Sequence, residues 1–489
     1  MSRAIAAALA VCLAAVAACE GPGRPIRVAI HSAPVELDPH LQNESLTSGV
    51  LANVYEGLTE LDEENRVRPK LASGWTNPDE RTWVFSLRAG ARFHDGRALT
   101  AGDVVFSLER ARRHPGSALA SYLVEVESVR VVDDGRVEIR TRRPFASLLG
   151  KLTPVYVVPA GSPERITEPD GTGPYRLVHA DRRGLELVPV ATSAERPEAP
   201  GPLHFVVEPD PARRLSALLD GEVEVAADLG EDAVDLLATT ACCRAELLPG
   251  STIEYLHLSD LEPPFRDRRV REAVHLALDR TLYLAEARHG LGQPAGQLAV
   301  PGLFGYEPGL RAPERDLARA RALLEAAGYA EGFDVDLEHR PGRRADVLVR
   351  QLGEAGIRVT ARESAWAELY GRLRNGEVGF YFGGVVSPTG EASDVLDGYV
   401  HSREEDRGYG ASNHSRYSNR TADGLIEAAS SSFSLVRRRE LLQEAMKVVM
   451  ADLHFVPVAG LYQVYGTRRD VEFRPRIDLK LLGDRIRRR

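Results

Sequence analysis

Residues 53–108 constrain the fold of this 489-residue chain more than any other stretch. Trp83, Phe85 and Leu87 alternate with Val84, Ser86 and Arg88, which predicts a strand with one apolar face. Arg88-Ala89-Gly90 turns the chain, and Phe93-His94-Asp95-Gly96 makes a second tight turn in which Gly96 is free to take positive φ. Thr100 then reads as an N-cap, with Asp103 at the third helical position, where free backbone N–H groups favour a carboxylate. The helix is expected over residues 103–110, with Val104, Val105 and Leu108 inward. His94-Asp95 beside a glycine has no nucleophile in place, so it is read as turn chemistry rather than catalysis.

These residues are ordered as Tyr55-Glu56-Gly57-Leu58, Pro69-Lys70-Leu71-Ala72 with Trp75, the aromatic strand, then Phe93-His94-Asp95-Gly96. That order resembles the signature region of the family 5 extracellular solute-binding proteins, the peptide- and nickel-binding components of bacterial ABC importers. Gly171-Thr172-Gly173-Pro174-Tyr175 is similar to a second landmark of that family. Its spacing is not that of a phosphate-binding loop, and no lysine follows it.

Residues 1–18 carry one charge, Arg3, followed by a small and apolar run too short to span a bilayer, which reads as a secretion signal. Val16-Ala17-Ala18-Cys19 is similar to a bacterial lipobox, in which Cys19 is acylated and becomes the first mature residue. Residues 19–25 would then be a spacer, tethering an exported domain to the extracytoplasmic or periplasmic face of the cell envelope. The net charge of −9 argues against nucleic acid as a partner. Cys242-Cys243 stand without histidine or acidic neighbours at ligand spacing, so structural use is expected, with a disulfide left open.

The length exceeds what one hydrophobic core usually serves. Strand and helix patterns alternate through most of the chain, which predicts α/β packing. The resemblance implies a two-lobed periplasmic-binding-protein fold of the large peptide-binding type. Its first lobe is assigned to residues 26–55, 169–255 and 462–489, an extra subdomain to 56–168, and the second lobe to 256–461. Local expectations include a helix over residues 51–58, a hairpin turning at Asp133-Asp134-Gly135, one helical face running from Val270 to Ala285, and a helix opened by Pro313.

No GxSxG, HExxH or comparable catalytic pattern is present, so no enzyme, cofactor or resident metal is expected. His401 and His414 are the residues a chelated metal would use. The resemblance implies hinge closure over a solute, then docking of a monomer on ABC permease subunits with their ATPases. Short peptides are the first expected ligand. The alternatives are an oligosaccharide, a chelated metal, a small cationic compound, or a non-transport envelope receptor or chaperone role.

By alignment with the family, Asn43, Glu44, Ser45, Tyr122, Val385, Ser387, Pro388 and Asn413 are the candidate ligand contacts. Two depart from the peptide-binding pattern: Val385 stands where an aromatic is usual, and Pro388 where an aspartate pairs with a peptide's α-ammonium. Glu391-Ala392-Ser393-Asp394-Val395-Leu396-Asp397 is retained, so Glu391 and Asp394, which could stand in for that aspartate, are already committed to this element. Proline offers neither a carboxylate nor an N–H, so a bound peptide is expected not to be selected for its free amine, with N-acetylation changing affinity less than about 10-fold.

Overall fold

The structure is a computed structural model and describes residues 23–190, 201–342 and 344–489. The signal, Cys19 and most of the spacer lie outside the described residues. Among the described residues no helix is long and apolar enough to cross a membrane.

The framework is a mixed eleven-stranded sheet. Its strands are β1 (Ile26–Ile30), β2 (Tyr175–Asp181), β3 (Gly184–Pro189), β4 (Leu203–Val207), β5 (Val225–Ala226), β6 (Cys243–Leu258), β7 (Gln293–Pro294), β8 (Phe333–His339), β9 (Ile357–Glu363), β10 (Phe380–Val386) and β11 (Phe455–Arg468). They run in the order β9-β8-β10-β6-β11-β5-β1-β4-β3-β2, with β7 beside β11. The long antiparallel strands β6 and β11 join the two halves. Cys243 to Pro249 pair with Arg468 to Tyr462 next to β5, whereas Ile253 to His257 pair with Gly460 to Phe455 next to β10. The register shifts between Pro249 and Ile253, so the ladder is broken where the chain passes from one half to the other.

A separate antiparallel sheet holds Ala72–Asp79, Thr82–Leu87, Arg136–Thr141 and Val126–Asp133, with the expected hairpin joining the last two in the chain. Trp83 and Phe85 are buried there with Val104, Leu108 and Ile139. Distinct apolar clusters form elsewhere. One surrounds Val28, Tyr55, Tyr175 and Phe205, and two more lie around Phe265 and Val274 and around Leu396, Ile426 and Met446.

The capping box at Thr100 is present: Asp103 N donates to Thr100 Oγ1 at 3.3 Å, and Thr100 N donates to Asp103 Oδ2 at 2.9 Å. The helix runs Ala101–Arg113, longer than its apolar spacing suggested. The two glycine-rich motifs of the sequence touch. The His94 ring donates from Nε2 to Gly173 O at 2.9 Å, and His94 N donates to Gly171 O at 2.9 Å. A Cβ on Gly173 would stand 2.4 Å from Asn53 O, so only glycine admits this approach.

Three local expectations are corrected. The helix expected over residues 51–58 is Ser45–Leu51 instead. The Glu44 carboxylate starts it by accepting from Leu46 N and Thr47 N, and Asn53 Nδ2 ends it by donating to Val50 O at 2.9 Å. The apolar face from Val270 to Ala285 is split into Arg268–Ala277 and Arg280–Ala287, because Asp279 caps the second helix through Leu282 N. Pro313 precedes rather than opens its helix, which is Leu317–Ala326 capped by Asp316. Cys242 and Cys243 are free, and Cys243 is buried beside Leu218, Val223 and Leu237.

Candidate functional site

A cavity of about 320 Å³ opens between residues 43–151 on one side and 384–412 on the other. It adjoins a smaller chamber of about 60 Å³, and the two share Asn43, Ser45, Tyr122, Val386 and Pro388. Together they sit at the low end of the range for small-molecule sites, about 300–1,000 Å³.

Asn43 and Ser45 reach the cavity from the segment leading into helix Ser45–Leu51, and Tyr122 from the short 3₁₀ turn Ala120–Leu123. Gly384 and Val386, at the end of β10, form the opposing wall with Pro388. Beyond Phe382 the β8-side edge of β10 pairs with no strand among the described residues. Ser387 lines the smaller chamber with its Oγ buried and unbonded.

Three of the candidate contacts are placed elsewhere. The Glu44 carboxylate is engaged as the helix cap already described. Val385 alternates with Gly384 and Val386 along the strand, so its side chain enters the core beside Ile253 and Leu396. Asn413 is buried: its Nδ2 donates to His401 O at 3.0 Å and Tyr417 O at 2.7 Å, while its Oδ1 accepts from Ser415 Oγ and Tyr417 N. It orders the loop behind the cavity rather than its surface.

A charged cluster completes the wall, and two of its members, Asp394 and Asp397, belong to the retained element. Lys151 Nζ lies 3.1 Å from Asp394 Oδ1 and 3.3 Å from Asp397 Oδ2, and 5.6 Å from the centre of the Tyr122 ring. Asp394 Oδ2 also accepts from Thr389 N and Thr389 Oγ1, at 2.8 and 2.7 Å. Burial lowers the affinity of Lys151 for its proton, but Asp394 and Asp397 outweigh it and the ammonium is held charged. Burial pushes the Asp397 carboxyl up, against the pull of Lys151 and with Asp394 adding to the rise. Tyr122 is pushed up to about 12 by burial and stays a neutral phenol. Asp394 and Asp397 are three apart on one helical turn, a spacing that places both carboxylates on one face and was legible in the sequence. Lys151, distant in sequence, carried no such signal.

The cavity is bridged behind these groups. Arg438 binds Glu391, and the same Nη2 donates to Ser147 Oγ at 2.8 Å across the cleft. Ala146 N donates to Ser430 O at 2.7 Å, and Trp83 stacks on Phe433 with ring centres 5.5 Å apart. The two walls are therefore in direct contact.

His401 is fully buried, stacked 4.1 Å from Tyr409 and 3.3 Å from Glu427 through Nε2, while His414 packs edge-on against Tyr370. Among the described residues no group of three or more histidine, cysteine or acidic side chains is placed to hold a metal.

Comparison with known proteins agrees with this architecture. The family described as bacterial extracellular solute-binding proteins, family 5 middle, matches residues 66–407. The glutathione-binding protein GsiB of Salmonella choleraesuis is 28% identical over 459 residues, covering 89% of this chain and 88% of GsiB. The solved structure of HbpA2 from Haemophilus parasuis superposes with a TM-score of 0.83 at 22% identity, covering 95% of this chain and all of that one. The periplasmic binding protein DppA from Helicobacter pylori, in complex with the peptide STSA, gives 0.81 at 22% identity, covering 96% and 98%. The family match over residues 66–407, on a two-lobed α/β frame, assigns this chain to family 5 of the bacterial extracellular solute-binding proteins, the exported, non-enzymatic solute-capturing components of ABC importers.

Proposed function

We propose that this protein captures short peptides or peptide-like solutes by closing its two walls over them, and delivers them to its permease. The observation that carries this reading is the free edge of β10 at the cavity, where Gly384 and Val386 line the space and, on the β8 side, no strand among the described residues pairs beyond Phe382. An extended backbone can add to such an edge, which gives peptide affinity with little dependence on side chains. Asn43, Ser45, Tyr122, Ser387 and Pro388 border the same space and are the contacts proposed for the solute. The relatives named for glutathione and for a bound peptide support a ligand of this class.

Closure stores no energy of its own: a solute shifts the population only through contacts made better in the closed state. A pool of tripeptides, or glutathione, is expected to raise the melting temperature and shrink the radius of gyration in X-ray scattering. Unchanged scattering at saturation, or melting shifts from an oligosaccharide or nickel–histidine but from no peptide, would refute the peptide reading.

The anchor belongs to the same proposal. Cys19→Ala is expected to abolish palmitate labelling and release the protein from the envelope, with ligand affinity unchanged because the tether precedes the first strand at Ile26. Equal labelling of variant and wild type would show that Cys19 is not the acylated residue.

A further inference from the structure

Two reactive side chains lie away from the cavity and touch each other. Cys242 Sγ and Cys243 Sγ are 2.8 Å apart. Neighbours in an extended strand point to opposite faces, so this contact needs a break in strand geometry. There is one: Cys242 lies in a bend, and β6 begins only at Cys243. The bend is fixed from the end of β11, where Arg469 N donates to Cys242 O at 2.9 Å and Arg468 pairs with Cys243. Cys243 is buried with Leu218, Val223 and Leu237, whereas Cys242 is half-buried, so a reagent reaches the pair through Cys242. Among the described residues no third cysteine, histidine or acidic side chain joins them to make a metal site.

Members of this family are exported, and outside the cytoplasm cysteine pairs are oxidised. We propose that Cys242 and Cys243 are a modification site, joined in the exported protein as a vicinal disulfide by a disulfide-bearing oxidant. This does not depend on what the cavity holds. The Cys242 thiolate attacks one sulfur of the oxidant, forming a mixed disulfide on Cys242 Sγ and releasing one thiolate. Cys243 loses its proton to water, its Sγ attacks Cys242 Sγ, and the second thiolate leaves. The pair gives up two electrons and two protons, and the oxidant departs as two thiols. Burial pushes the Cys243 thiol up to about 12, with Cys242 adding to the rise, so Cys242 is the entry point and ring closure is the slow step. The ring encloses no intervening residue. Its two Cα atoms, about 3.8 Å apart across the peptide, stand closer than the about 4.4–6.8 Å of ordinary disulfides. Such a bond is easily reduced, and closing so short a loop stabilises the fold little. It is a redox-labile mark at the start of β6 and not a staple.

The test is peptide mapping of wild type isolated from the cell envelope and denatured in N-ethylmaleimide. The peptide holding Cys242 and Cys243 is expected to carry no label and to weigh two hydrogens less than its dithiol. Dithiothreitol without denaturant should then expose two labels, and glutathione disulfide added to the reduced protein should remove both again. Full alkylation of the pair without reductant would overturn the proposal. So would a glutathione adduct that persists on Cys242 beside a free Cys243. The oxidised and reduced forms should melt within about 4 °C of each other. A larger loss on reduction would make the bond a structural staple and overturn its assignment as a labile mark. Cys243→Ser should trap the adduct on Cys242, and Cys242→Ser should leave Cys243 unmodified by glutathione disulfide. The wild-type mapping needs no variant, so it decides even if Cys243→Ser fails to fold.

Discussion

Arg110→Met is expected to destabilise the protein by about 3–5 kcal/mol, the cost of stranding one member of a buried ion pair. Arg110 and Asp38 are 6% and 0% exposed in their side chains and are joined at 3.0 and 2.5 Å. The same guanidinium donates to Pro163 O, Glu164 O and the His40 ring, so it ties helix Ala101–Arg113 to the loop after β1 and to the segment before Gly171. His40 accepts at Nδ1 because Arg110 can only donate, and its Nε2 then donates to Tyr156 O at 2.8 Å. Burial and Arg110 hold the His40 ring neutral, lowered to about 4 even though Tyr156 and Asp38 oppose this. Burial pushes Asp38 up, but Arg110 and the Ile166 and His40 amides outweigh it and the net shift is down. Both shifts act in one direction on acidification. The unfolded chain binds more protons than the folded one as pH falls from 6.5 to about 4 through His40, and again below 3.8 through Asp38, so stability present at neutral pH is lost progressively on acidification. Denaturant titrations at neutral pH check the first effect, and a loss under about 1 kcal/mol would contradict the pairing. The double variant Asp38→Ala with Arg110→Met should recover part of the loss, since neither charge is then stranded.

The fold was legible where local chemistry and periodicity agreed. Trp83 and Phe85 alternate into a core, Thr100 and Asp103 cap a helix, and Asp133-Asp134-Gly135 turns a hairpin. It was misread where a side chain acts on backbone near it in sequence. Asn53 ends a helix from beyond its C-terminus, and Asp279 restarts one in the middle of an apolar face that shows no break in its spacing. Periodicity reports which face is apolar, and caps decide where the helix begins and ends.

The candidate site divided along a different line. Asn43, Ser45, Tyr122, Ser387 and Pro388 border the cavity, and each was named by alignment. Val385 followed the same alignment, but strand alternation turns its side chain to the core and leaves Gly384 and Val386 at the wall. Lys151 was missed because its pairing with Asp397 spans more than 240 residues of chain, a distance over which sequence spacing carries no information, whereas Asp397 lies inside the retained element. Asp394 belongs to the same retained element. Its carboxylate is engaged by Thr389 and Lys151, which is why it is not free to move.

Ser147→Ala is expected to weaken solute binding by about 10- to 150-fold while leaving each wall folded. Arg438 is buried, paired with Glu391 on its own side of the cleft, and bonded to Ser147 Oγ on the other. A hydrogen bond to a charged group contributes about 1.5–3 kcal/mol, and this one exists only while the walls are together. Removing it therefore acts on the closure equilibrium, and the loss appears in affinity at one decade per about 1.4 kcal/mol. Arg438→Met should behave differently. It strands the Glu391 carboxylate, which then keeps only Ser393 Oγ at 3.0 Å, so stability should fall by about 3–5 kcal/mol together with affinity. Calorimetry with a tripeptide and denaturant titration of the ligand-free protein separate the two. If Ser147→Ala lowered stability as much as Arg438→Met and left affinity untouched, the bond would be part of a permanently joined structure and not a contact made on closure.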